Sequence, residues 1–399
     1  MVDGDAGDAG RIGVLLLGGN NTHQENYARA FAADTRCRLT AVADEADAPP
    51  ERHRLNQALA DELDLPYLRV GSFGSPELRA LGSSVASVCV EHERRARVAV
   101  ECAREGLHLY LDKPSACSVP GARAIAEAAE SAGVVSQMFS FIHTPWAEAA
   151  REVVRSGELG AVRSVHVEVL FAKGRPGTAD RSLRRVQPPF PQRFTFPDAK
   201  RELRATGVYG VTLALWLLGG SVEWVSAQTA NYFFREHQEA GAEDFGVLAM
   251  GISEGRAATV TAGRIGAASH ARGGPLRVTL VGESGLVTVD ANRPRVEVCA
   301  LEEPWRLAEP DPQDPMSFWR STQLRTPGPS KRGWLLSRGE GEAPLDARRF
   351  VDCVLSRTRP EVDARVASAA VETLMTAYVS AAQGGARVRP SEVEWPHPG

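Results

Sequence analysis

Cysteine is sparse and scattered in this chain. The six residues at 37, 89, 102, 117, 299 and 353 form no Cys-x-x-Cys pair and no Cys/His ligand spacing. That argues against a disulfide framework or a zinc ribbon and fits a reduced, cytoplasmic setting. The nine histidines show no His-x-x-x-His spacing, so no metal site is expected. No apolar run approaches the roughly 18 residues of a membrane span, and the longest candidate, residues 211–218, is far too short. A formal charge of −4 and a pI near 6.2 give no global reason to expect nucleic acid or an anionic membrane as partner. Residues 1–10 are acidic and rich in Gly and Ala, unlike a signal or transit peptide, and are expected to be a disordered tail. No internal repeat is present. On these grounds a soluble, cytoplasmic protein is expected.

The chain has 399 residues and 43% hydrophobic content, enough for two domains with ample core. From 11 to 140, strand-like and helix-like segments alternate. Apolar strands are expected at 11–17, 38–43, 86–90, 107–111 and 134–139, with helices at 25–33, 51–63, 94–105 and 120–132. Such alternation predicts an α/β fold with a doubly wound parallel sheet. After 140 the pattern changes. Helices at 145–156 and 206–218 flank a strand at 163–171 and a long loop at 173–201. Strands then follow at 222–233, 244–252, 256–264, 276–281, 286–289 and 295–300, joined by short turns, before helices at 345–355 and 365–383. This predicts a second α/β domain with an open, mostly antiparallel sheet. The expected division is 11–140 and 141–390, with the C-terminal helix packing back on the first domain. Gly251-Ile252-Ser253-Glu254-Gly255 matches the Gly-x-Ser-x-Gly pattern of a nucleophile elbow. That motif needs a strand-to-helix turn, and here it falls in a hairpin between strands.

Three stretches carry candidate chemistry. The first is the turn after the first strand, Leu16-Leu17-Gly18-Gly19-Asn20-Asn21-Thr22-His23. A dinucleotide fingerprint uses glycines for a tight turn, for close approach of the pyrophosphate and for helix packing. Leu16 takes the place of the first glycine, Gly18 of the second and Asn21 of the third. Asp44, at the end of the second strand, lies where a carboxylate accepts ribose hydroxyls; the plainer reading is a glycine turn that only connects elements. The second stretch is Leu107-His108-Leu109-Tyr110-Leu111-Asp112-Lys113-Pro114. Lys113 is expected at a strand's carboxyl end, the edge where open α/β sheets bind ligands. An ordinary strand-end lysine reaching solvent is the alternative. The third stretch is basic: Lys173, Arg175, Arg181, Arg184, Arg185, Arg193, Lys200, Arg201 and Arg204 face only Asp180, Asp198 and Glu202. Arginine forks suit carboxylate or phosphate. A solvated loop, or one pairing with acids across an oligomer interface, is the competing reading.

These motifs in order resemble the glucose–fructose oxidoreductase / inositol dehydrogenase / MocA superfamily over about 370 residues. Ala103-Arg104-Glu105-Gly106-Leu107 through Asp112-Lys113-Pro114 is similar to its "A-l-x-a-G-k-h-V-l-x-E-K-P" signature. Val208 to Gly219 is similar to its second-domain helix, and Gly157-x-x-Gly160, the hairpin at 281–290, Phe350-Val351-Asp352 and the tail at 378–388 also match. The resemblance implies an N-terminal Rossmann domain for NAD(H) or NADP(H), and a second domain that shapes the substrate site and forms a homo-oligomer through its sheet. It implies Gly18, Gly19, Asn20, Asn21, Asp44, Glu91, Asp112 and Lys113 along the cofactor, with Lys113 and Tyr209 as the catalytic pair. Lys200, Arg201 and Arg204 would join Lys113 and Tyr209 around the substrate. The family's "D-x-G-x-H-x-x-D" run falls on Ala205-Thr206-Gly207-Val208-Tyr209-Gly210-Val211-Thr212, so tyrosine stands for histidine, and Ala205 and Thr212 for the aspartates. The pattern after the fourth strand, "T-P-x-x-x-H", falls on Val90-Glu91-His92-Glu93-Arg94-Arg95, with Glu91 in the proline's place. The expected reaction is hydride transfer at a secondary alcohol or ketone of a sugar- or cyclitol-like, anionic substrate. Asp44 and Glu45 beside it would repel a 2′-phosphate, which favours NAD(H) over NADP(H). The lost glycines and carboxylates support a rival expectation, a non-catalytic or redox-neutral relative serving as partner subunit or ligand sensor.

Overall fold

Six apolar residues, all buried, make β1 (Ile12–Leu17), and the first half of the fold is laid down around it. The computed structural model describes residues 10–19, 23–172, 177–191, 200–265, 274–291, 295–300, 332–335 and 342–396. β1 is flanked by β2 (Cys37–Glu45) and β4 (Val85–Val88), with β3 (Tyr67–Val70), β5 (His108–Leu111) and β6 (Ser136–Met138) completing a parallel sheet. The strand order is β3-β2-β1-β4-β5-β6. This is the doubly wound order whose direction of winding reverses between β1 and β4, and a crevice opens there at the strands' carboxyl ends. β3 was not foreseen from sequence. It is four residues long, and only Val70 is buried, so it lacks the apolar run that marks the other strands.

Helix boundaries follow local chemistry. Ser118 caps helix Val119–Ala132 by accepting from the Gly121 amide, and Thr144 caps helix Pro145–Ser156 by accepting from Ala147. Both helices carry proline in their first turn. Helix Pro145–Ser156 leads into a second sheet: β7 (Val162–Ala172), β8 (Val222–Ala230), β9 (Phe245–Ile252), β10 (Arg256–Ile265), β11 (Leu276–Gly282), β12 (Gly285–Asp290), β13 (Arg295–Ala300) and β14 (Arg332–Leu335). Its order is β14-β13-β12-β11-β7-β10-β9-β8; β7 and β10 pair in parallel and the other neighbours are antiparallel. The Gly251–Gly255 motif lies at the β9–β10 turn, where Ile252 faces Arg256 across an antiparallel ladder, so it is no elbow.

Two late helices join the halves. Helix Glu342–Ser356 packs on helix Gln24–Ala33: Phe350 meets Phe31 edge-on, and Arg36 donates to Asp352 at 2.7 Å. The buried carboxyl of Asp346 accepts from Tyr110 of β5 at 2.8 Å and from Gln137 of β6 at 2.8 Å. Helix Ala364–Ala382, capped by Asp363, lies between helix Val119–Ala132 and β8. Among the described residues no helix is long and apolar enough to cross a membrane.

Helix Gly207–Leu218 is buried along its whole length and carries Tyr209. Its neighbour Gly210 sets how closely the helix approaches β10, because a Cβ there would meet Val260 Cγ1 at 2.5 Å. Alanine in a helix interior gains about 1 kcal/mol over glycine, whereas overpacking a core costs about 1–3 kcal/mol. With the contact against backbone-anchored Val260, the clash should win. Gly210→Ala should therefore lower the urea midpoint by the equivalent of about 1–2 kcal/mol, with Val260→Ala in the same chain recovering part of it. A midpoint unchanged or raised in the single variant would show that the helix is free to shift.

Candidate active site

The corner after β5 is held by a buried ion pair. Helix His92–Arg104 buries Arg95, Val98, Ala99, Cys102 and Ala103 on one face, so a guanidinium sits on an otherwise apolar stripe. Arg95 donates to Asp112 Oδ2 at 2.9 Å, to the Asp112 and Pro114 carbonyls, and to Val90 O at 2.9 Å. The other oxygen of Asp112 accepts from Tyr27 at 2.8 Å and pairs with His23 Nδ1 at 2.9 Å. Burial raises the Asp112 pKa, but His23 and Arg95 outweigh it and hold the carboxyl well below the usual range. Asp112 therefore fastens helix Gln24–Ala33 and helix His92–Arg104 to one strand end.

Lys113 follows in a cis peptide bond to Pro114 and is 7% exposed. Its Nζ donates to the Ala205 carbonyl at 2.7 Å and lies 4.7 Å from the centroid of the Tyr209 ring. That ring stacks on Phe141 at 3.9 Å with planes 7° apart, and Phe139 meets it edge-on. The structure thus brings Lys113 and Tyr209 together. The Ala205 carbonyl stands where the family pattern has a carboxylate. Burial, then the charge of Lys200, lowers the Lys113 pKa to about 8. Lys200 lines the same cleft as Lys113, Asp112, Glu91 and His23, and burial lowers its own pKa.

At the other end of the cleft, a Cβ on Gly18 would meet Val90 Cγ1 at 2.8 Å and one on Gly19 would meet Asn56 Oδ1 at 2.8 Å. Gly18 also has φ +67°, so packing and backbone both favour glycine there. Asn20 and Asn21 lie outside the described residues. Asp44 is fully buried near the end of β2. Its Oδ1 accepts from Arg94 Nη1 at 2.9 Å and from the Glu45 amide at 2.8 Å. Its Oδ2 accepts from Asn56 at 2.7 Å and from Arg94 Nη2 at 3.4 Å. Arg94 also pairs with Glu45 at 2.6 Å and with Glu91. Glu91 in turn pairs with Arg52, which donates to the Gly19 carbonyl.

The basic stretch behaves differently from the expectation. Arg185 and Arg201 pair with the buried carboxylate of Glu243 at 3.1 and 3.5 Å, and Tyr378 donates to the same group at 2.5 Å. Arg204 is 1% exposed and donates to the Cys117 carbonyl at 3.1 Å. Arg201 is thus drawn to Glu243 and the buried Arg204 reaches across to Cys117 of the first half, and of the three expected substrate cations Lys200 is the one that lines the cleft. Lys173, Arg175 and Arg193 lie outside the described residues. Sequence reasoning missed Arg94, Arg95, Arg52 and His23. A usable signal existed for Arg95: a charge at the i position of an i, i+3, i+4, i+7 apolar set. Among the described residues no group of three or more His, Cys, Asp or Glu could hold a metal ion.

Residues 147–288 match the family model described as GFO/IDH/MocA C-terminal domain. No curated protein sequence matches the chain. Solved structures similar along nearly the whole chain include GenD2 from gentamicin A biosynthesis in complex with NAD. It is 24% identical over 95% of this chain and 96% of that one, with a TM-score of 0.65. A second is the WlbA dehydrogenase from Bordetella pertussis in complex with NADH and UDP-GlcNAcA, 20% identical over 95% and 98%, TM-score 0.64. A third is an NAD binding oxidoreductase from Klebsiella pneumoniae, 16% identical over 95% and 99%, TM-score 0.70. At these identities the three speak for the fold, and the family match is confined to residues 147–288. The six-stranded Rossmann-like sheet is thus followed by a segment that matches the GFO/IDH/MocA C-terminal domain.

Proposed function

We propose that the protein is a nicotinamide-dependent oxidoreductase acting on a secondary alcohol or ketone of a sugar- or cyclitol-like molecule. One observation carries this reading: the Lys113 ammonium, which lines a cleft at the carboxyl edge of a doubly wound sheet, sits 4.7 Å from the ring centroid of Tyr209. The residues there fit a dinucleotide. In this reading the Gly18–Gly19 turn lets a pyrophosphate approach the backbone, and Asp44 is the carboxylate near the end of β2, its oxygens held by Arg94, Asn56 and the Glu45 amide. GenD2 and WlbA, similar in fold, were solved with NAD and NADH. Asp44 with Glu45 beside it would repel a 2′-phosphate, so NAD(H) is the proposed cofactor.

A bound nicotinamide would supply or accept the hydride. The chain's own residues manage the proton and the charge. Lys113, held by the Ala205 carbonyl, presents a cation to the oxygen that becomes an alkoxide as a ketone is reduced. Tyr209, clamped by Phe141 and next to that cation, exchanges the hydroxyl proton. Lys200, which lines the same cleft, would meet an anionic group on the substrate. Saturation of Asp44 by Arg94 favours the rival reading, a redox-neutral relative. Mass spectrometry of nucleotide released from the purified protein separates the two. NAD(H) in the supernatant supports the oxidoreductase, and no nucleotide, with none bound on soaking, supports the rival.

The pH dependence has a definite sign. Lys113 is cationic below about 8 and loses its proton above it, so kcat/KM for ketone reduction should fall as pH rises through that value. Lys200→Met removes a neighbouring positive charge and should move the falling limb to higher pH. Tyr209→Phe should lower kcat by about 10²–10⁴-fold. A flat profile from pH 6 to pH 10 on the order of the whole accessible range, or full activity in Tyr209→Phe, would remove this pair from the chemistry.

A further inference from the structure

We propose that Arg94 sets the affinity of the adenosine half of the cofactor site, closing Asp44 against the ribose until a bound dinucleotide displaces it. This rests on the dinucleotide reading of the sheet edge and concerns a residue that reading does not use.

The argument is one of hydrogen-bond capacity. A carboxylate has about four lone-pair sites. At Asp44 they are filled: the Glu45 amide and Arg94 Nη1 on Oδ1, Asn56 and Arg94 Nη2 on Oδ2. A ribose diol that donates to this carboxylate must first evict a partner. The Glu45 amide is the adjoining backbone, and Asn56 is fully buried in helix Pro50–Leu63. Arg94 is the partner able to leave. Its side chain is 20% exposed, and it already holds two other carboxylates, Glu45 and Glu91. Eviction would break its two bonds to Asp44 and leave its charge paired.

The same charges decide against Arg94 as a receptor for a 2′-phosphate. Its guanidinium already faces Asp44, Glu45 and Glu91, so a phosphate arriving there would sit among three carboxylates. The neutral hydroxyls of an unphosphorylated ribose meet no such repulsion. Arg52, which links Glu91 to the Gly19 carbonyl, extends the closure to the glycine turn. The adenosine end is therefore shut by the protein's own cation, and the free energy of opening it comes out of cofactor binding.

Removing the cation should strengthen binding. Titrating the full-length protein with NADH, read by energy transfer from tryptophan, should give a Kd about tenfold lower in both Arg94→Ala and Arg94→Gln than in wild type. The thermal midpoint should fall in the same variants, because ion pairs are lost. Tighter binding with lower stability is a combination that structural damage does not produce. NADH bound equally or more weakly by both variants, with wild-type binding intact, overturns the closure by Arg94. NADPH bound more tightly than NADH by wild type and lost in Arg94→Ala overturns it in favour of a phosphate receptor. Neither nucleotide binding to wild type or to either variant overturns the dinucleotide reading, and the closure with it.

Discussion

The site depends on one buried ion pair, Arg95 with Asp112, each 1% exposed. Taking two charges out of water costs several kcal/mol per ion, and attraction repays it only when the remaining donors and acceptors are satisfied. Here they are filled by backbone. Arg95 binds the carbonyls of Val90, Asp112 and Pro114, so it grips the ends of β4 and β5 and the corner beyond them. His23 and Tyr27 complete Asp112 from the first helix. Lys113 cannot be repositioned without breaking this set. Its backbone is fixed by the first half of the fold, while its ammonium rests on Ala205 and Tyr209 from the second.

A second buried carboxylate, Glu243, organises the other half by the same rule. It is fully buried and gathers Arg185, Arg201 and Tyr378, which draws the loop at 177–191 and helix Ala364–Ala382 toward β9. The local excess of arginine in the sequence is thus partly an internal demand. A buried acid needs cations, and its partners come from distant segments. Reading those arginines as substrate ligands assumed that charge clustered in sequence stays outward. Arg201 and Arg204 turned inward instead, and Lys200, beside Arg201 in the chain, turned toward the cleft.

Arg94 and Arg95 show what a sequence discloses and what it withholds. The alternating elements, the glycine turn, Asp44 and the Asp112-Lys113-Pro114 corner all rest on local patterns, and the parallel, doubly wound sheet expected from them is the one observed. The meeting of Lys113 and Tyr209 came through a resemblance between ordered motifs. The two arginines are adjacent, yet a helix turns about 100° per residue. One therefore enters the core toward Asp112 and the other crosses to Asp44, 17 and 50 residues away in the chain. No local pattern specifies those partners. β3 was missed for a related reason, since a short, half-exposed edge strand carries little apolar signal.

The substitution at Ala205 gains meaning from this geometry. An aspartate there would pair with Lys113 and raise its pKa, keeping the lysine a permanent cation at neutral pH. A backbone carbonyl accepts the same hydrogen bond without the full charge. Burial and Lys200 then dominate, and the Lys113 pKa is lowered to about 8. The lost carboxylate is thus compatible with acid–base work at this corner. It moves the burden of orienting the ammonium from a side chain to the main-chain carbonyl of Ala205.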